Sequence, residues 1–168
     1  MPLTPEQAVA LVREMWVPMY VNEHPLTKSV IAAIPADKGD YKPADVARSA
    51  IDLAWHIVSA EHRFLNAVIA GGFDYSSAPA PSTSADVLRW YSSAFAADIE
   101  KLNTLSGEQL VRPIDFRGIF TFPAYAFLQS GISHTIHHRG QLSTYLRPMG
   151  ARVPSIYGES YDSRQPPA

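Results

Sequence analysis

Apolar residues recur at helical spacing in four long stretches, divided by breaks rich in proline, glycine and serine, and no stretch sustains strand-like alternation. Thr4-Pro5-Glu6-Gln7 has the form of a capping box with proline at the first helical position, and Ala8, Leu11, Val12 and Met15 follow on one face. A helix therefore starts near Pro5. Pro18 and Pro25 interrupt it, so the stretch reaching Ile34 is either one kinked helix or two shorter ones, ended by Pro35. Residues 35–48 read as a connector. A second helix spans 49–70 and is closed by Gly71-Gly72. After a Gly/Ser/Ala/Pro loop, Thr83 or Ser84 caps a third helix with the stripe Leu88, Tyr91, Phe95, Ile99 and Leu102. Gly107, Pro113 and Gly118 break the region 106–122, where Val111, Ile114 and Phe116 can pair briefly as an extended segment. Pro123 opens a fourth helix running to about Arg147, and the tail from about 151 is irregular.

Four helices with short connectors predict an all-α four-helix bundle, read as a single domain over 1–168. Apolar residues make up 46% and charged residues 18%, enough for a core without staples and too balanced for disorder. Cys 0 excludes disulfides, thiolate nucleophiles and sulfur-ligated metals, so any metal rests on histidine or carboxylate. A net charge of -2 without a basic run removes the usual footprint of nucleic-acid binding. Neither a cationic-then-apolar leader nor a membrane-length apolar run is present, which predicts a soluble, cytoplasmic protein that binds no membrane.

The histidines are clustered. His134, His137 and His138 lie on the fourth helix, and His56 and His62 on the second. At about 100° per residue, positions 134 and 138 differ by roughly 40° and stack one turn apart, as two imidazoles gripping one ion must. Such a pair is equally the signature of polar packing residues. A third ligand, for which His56 is the candidate, would complete a three-histidine site with an open position. Ser-His-Thr-Ile-His-His lacks the glutamate of a zincin helix, so a metalloprotease is excluded.

The run His134-Thr135-Ile136-His137-His138-Arg139-Gly140-Gln141, with Leu53-Ala54-Trp55-His56-Ile57 before it, resembles the DinB-like family of metal-binding four-helix bundles. The family pattern maps onto His56, His134 and His138 and leaves out His137. The resemblance implies a divalent metal, zinc or nickel, and a homodimer. It also implies relatives that transfer low-molecular-weight thiols or isomerise thiol adducts. The expectation is a metal-dependent transferase or hydrolase acting on a small molecule. The alternative is a non-catalytic, stress-related bundle that binds a metal or small molecule.

A helical wheel places Glu61 amid Leu53, Ile57, Phe64 and Val68, and Arg139 amid Leu128, Ile132 and Leu146. Two opposite charges facing one core predict a buried Glu61–Arg139 pair locking the second helix to the fourth. Gln141 and Tyr145 continue the His134/His138 stripe and are expected to contact a bound ligand, with core-edge packing nearly as good a reading for Tyr145. Asp52 and Arg63 share the His56 stripe and can orient its ring, although solvated roles suit them as well. His24 is expected at an exposed helix end, and His62 reads as a packing histidine.

Overall fold

The computed structural model describes residues 3–166. Its helices are α1 (Pro5–Leu11), α2 (Val17–Ala32), α3 (Ala50–Ala70), α4 (Ser84–Thr104), α5 (Gly107–Val111) and α6 (Ala126–Leu146). Between α5 and α6 stands a hairpin of β1 (Pro113–Phe116) and β2 (Phe120–Pro123), paired antiparallel with Ile114 opposite Phe122. The protein is a mainly helical bundle in which α3 packs most extensively on α6 and then on α4, while α2 touches both α4 and α6.

The local signals explain where the helices begin. Thr4 and Gln7 form the reciprocal capping box, Ser49 accepts from the Asp52 amide, and Thr83 accepts from the Asp86 amide. Gly71 ends α3 at φ 90, a left-handed turn that costs glycine little.

The first stretch does not split. It runs helically from Pro5 to Ala32 through a π turn at Val12–Trp16, where the Val17 amide bonds to the Val12 carbonyl. The wider turn lies just ahead of Pro18, which has no N–H to give, and lets the helix pass that position.

Region 106–122 also differs from expectation. Val111 lies in the short helix α5, which Ser106 and Gln109 cap reciprocally, while Ile114 and Phe116 are in β1. Pro123 ends β2 instead of opening α6.

Two apolar clusters fill the bundle. One joins Val30, Ile31, Leu53, Ile57 and Leu142 at one end; the other joins Val12, Leu65, Leu110, Phe127 and Leu128 at the opposite end. Glu61, Thr135 and Arg139 are buried polar residues on α3 and α6. The two helices approach closely at Gly131, where an added Cβ would lie 2.8 Å from the Cβ of Phe64 and 2.5 Å from the Tyr20 hydroxyl. This contact lies one turn before His134 and sets the spacing at which α6 meets α3.

Candidate metal centre

His56 on α3 faces His134 and His138 on α6, and one nitrogen from each ring falls within 4.8 Å of the others. Nε2 of His56 and Nε2 of His134 are 3.1 Å apart. The ring centroids are separated by 4.8 Å for His56–His134, 4.7 Å for His56–His138 and 4.4 Å for His134–His138. Metal–nitrogen bonds of about 2.0–2.1 Å imply ligand separations of roughly 2.9 Å in an octahedron and 3.4 Å in a tetrahedron. The observed 3.1 Å lies between these values. The same distance admits a hydrogen bond when one ring carries the proton, so the pair is accommodated with or without an ion.

The electrostatics suit a cation ligand. Burial, then the nearby Arg48, His138 and Arg63, lowers the His56 pKa to about 4. Burial and the neighbouring histidines do the same for His134, also to about 4. Both rings are therefore neutral at physiological pH and keep a lone pair to donate. Nδ1 of His138 lies 2.8 Å from Oε1 of Gln141. With that oxygen as acceptor, the His138 proton sits on Nδ1 and Nε2 is free to ligate. Nδ1 of His134 is buried without a partner. A neutral three-imidazole set fits a borderline divalent cation such as zinc or nickel, and Cys 0 leaves no softer ligand to compete.

The other candidates take different places. Gln141 meets the centre through His138, whereas Tyr145 is buried in the core, edge-on to Tyr41 at 5.9 Å, with its hydroxyl unpartnered. Tyr145 thus packs instead of presenting itself to a ligand. His137 is exposed beside His138. Asp52 bonds to Ser49 and Arg63 to the Ser76 carbonyl, and neither makes a hydrogen bond to His56. His24 is not at an exposed end. It stacks on Phe95 at 3.9 Å between α2 and α4, and burial lowers its pKa to about 4.

The expected Glu61–Arg139 pair does not form. Both residues are buried, but Arg139 pairs with Glu23 of α2 at 2.6 Å and also reaches Thr27 and Tyr157. Tyr157 in turn donates to Glu23 at 2.8 Å, so the irregular tail is stitched to α2 and α6 together. Glu61 instead accepts from Tyr91 of α4 at 2.7 Å. Burial raises its pKa to about 7, with the Tyr91 hydrogen bond opposing the rise. A two-helix wheel gives each residue's angle but omits α2, which brings a carboxylate to Arg139. Sequence reasoning missed Glu23 and Tyr157 for that reason. It also missed the pairing of His62 Nδ1 with the buried Asp98 at 2.6 Å. Asp98 does fall on the apolar stripe of α4, seven residues after Tyr91 and four before Leu102, and that place was the one signal of its burial.

None of the described helices is long and apolar enough to cross a membrane. A family model described as the DinB family matches residues 18–167. Over 133 residues the chain is 30% identical to the uncharacterized protein YjoA of Bacillus subtilis (strain 168), covering 78% of this chain and 86% of that protein. The crystal structure of a DinB-like protein from Bacillus subtilis, YjoA, superposes with TM-score 0.69 at 28% identity, covering 89% of this chain and 99% of that one. A DinB-like protein from Bacillus cereus ATCC 10987 superposes with TM-score 0.74 at 24% identity, covering 86% and 97%, and so shares the fold. With nearly the whole chain inside that match, from the middle of its first helical stretch to the tail held by Arg139, the protein belongs to the DinB family.

Proposed function

We infer that His56, His134 and His138 hold a divalent cation, zinc or nickel, and that the chain is a metal-dependent enzyme. It transfers or hydrolyses small molecules, with a low-molecular-weight thiol as the preferred nucleophile. The observation that carries this reading is the convergence of three imidazole nitrogens within 4.8 Å from two helices. Three protein ligands leave a coordination position open, unlike the closed four-ligand shell of a structural zinc. The cation, when bound, supplies Lewis acidity that lowers the pKa of a thiol or water in that position. The chain supplies the rest. The α3–α6 contact at Gly131 and Phe64 fixes how closely the two helices carry their rings, and Gln141 orients the His138 ring. The thiol preference rests on the family resemblance.

A second reading, a non-catalytic metal-binding bundle, draws on one observation. None of the three rings hydrogen-bonds to a carboxylate among the described residues, so no acid on the chain is placed as a proton acceptor there. Protein purified without an affinity tag is predicted to carry close to one metal per chain by elemental analysis, and His138→Ala to lose it. Equal metal content in the two would remove the site. Turnover of an electrophile with a panel of thiols then separates the readings. Metal-dependent thermal stability without turnover selects the second.

A further inference from the structure

Next to the metal centre around α3, with Arg63 of the His56 stripe at its edge, a cleft of about 410 Å³ opens between α3, α4 and the loop that follows α3. Trp55 and Trp90 form one wall, packed edge to face with centroids 4.6 Å apart, and His62 lies edge-on to Trp90 at 5.2 Å. The loop is held as the outer wall by two long side chains of α3. The Trp55 indole donates to the Ala78 carbonyl at 3.0 Å and Arg63 to the Ser76 carbonyl at 3.1 Å.

The polar side of the cleft is built on a buried acid. The Asp98 side chain is 2% exposed, and its two oxygens meet Nδ1 of His62 at 2.6 Å and the Asn66 amide at 3.1 Å. Among the described residues neither lysine nor arginine pairs with it, and the His62 ring is its nearest partner. The His62 side chain, 38% exposed and with the Asn66 amide 3.1 Å from its Nε2, lines the cleft beside Arg63, whose guanidinium spends one nitrogen on Ser76. The rim carboxylate, Asp74, engages the Ser76 amide with one oxygen and the Ser76 hydroxyl with the other, and Arg63 is the cation near it.

We propose that this cleft is a second, metal-independent ligand site. It takes a flat aromatic molecule carrying one anionic group, the ring resting on Trp55 and Trp90 and the anion meeting Arg63 and His62. Flat apolar faces suit an aromatic body, and the Arg63 guanidinium suits a carboxylate, sulfonate or phosphate. A His62–Asp98 contact that served only to fasten α3 to α4 would leave the tryptophan wall and the free Arg63 donors without use.

The test compares naphthoate with its neutral isostere naphthamide on the full chain, with a chelator present throughout so that no metal can hold the carboxylate. Trp16, Trp55 and Trp90 are the three tryptophans, so their indole signals in a nitrogen–proton correlation spectrum report location directly. Naphthoate is expected to move the Trp55 and Trp90 signals and not that of Trp16, and to bind about tenfold more tightly than naphthamide. Arg63→Gln, which keeps a donor for Ser76, is expected to remove most of that preference while leaving naphthamide binding in place. Equal affinities for the two probes, shifts outside Trp55 and Trp90, or no shift at millimolar probe would each overturn the proposal.

Discussion

Helix α3 carries two histidines on different faces, and their surroundings are opposites. His56 faces two other imidazoles and no acid, and burial with nearby cations lowers its pKa to about 4. His62, about 120° around the helix, grips the buried Asp98 at 2.6 Å. One side chain type thus serves as a lone-pair donor or as a hydrogen-bond partner of an acid according to whether a carboxylate is within reach. Between them lies Glu61, a buried acid that takes its hydrogen bond from a tyrosine and meets no cation in direct contact. The lesson is that histidines free of acid partners mark the face of α3 ready for a metal, while the acid-paired one marks the face held against α4.

The contrast can be broken by substitution. His56→Ala is expected to weaken metal binding by more than the roughly 10- to 100-fold that loss of an outer-shell partner costs, while His62→Ala leaves it intact. Metal titration of both variants measures this, and equal losses would erase the distinction between the two faces.

Glu61 gives the next largest effect. Its folded pKa, about 7, lies above the ordinary 4.5, so the folded state binds the proton more tightly than the unfolded chain. That contribution is fully present below about pH 4.5 and is lost as pH rises through 7, a swing on the order of 3 kcal/mol. Glu61→Gln keeps an acceptor for Tyr91 and should flatten this dependence. Denaturant unfolding of wild type and variant across that range is the check, and parallel curves would refute it.

Asp98→Ala comes third. Removing the partner of His62 and Asn66 should cost about 1–3 kcal/mol of stability and leave metal affinity unchanged. A variant as stable as wild type would show that the α3–α4 clasp does not contribute. Smallest is Gln141→Ala, which frees the His138 ring and should weaken metal binding about tenfold without altering stability. Unchanged affinity would show that the ring is oriented by other means.

How far the sequence led depended on whether the determining contact was local. The cap at Thr4, the one at Thr83, which was read as Thr83 or Ser84, and the turn at Gly71 act within a few residues, and each stands where the pattern placed it. The three rings of the centre were legible because their stacking follows from one helix and their meeting from the α3–α6 pairing. The first stretch left one kinked helix and two shorter ones both open because proline rules concern the ordinary i to i−4 ladder, whereas the π turn at Val12–Trp16 carries the helix past Pro18. Helix α5 went unread although Ser106-Gly107-Glu108-Gln109 spells a capping box, because Gly107 and Pro113 dominated the reading of that region. Glu23 and Asp98 lay beyond reach for a different reason. Each meets its partner across a long sequence separation, which no wheel drawn for one helix contains.

The most direct test of the metal centre is an X-ray absorption spectrum of the zinc-loaded full chain. Three imidazole nitrogens at about 2.0–2.1 Å together with a further light-atom ligand is the predicted coordination shell. A shell holding one imidazole or none, with oxygen making up the remainder, would contradict it and remove the basis for the metal-dependent function.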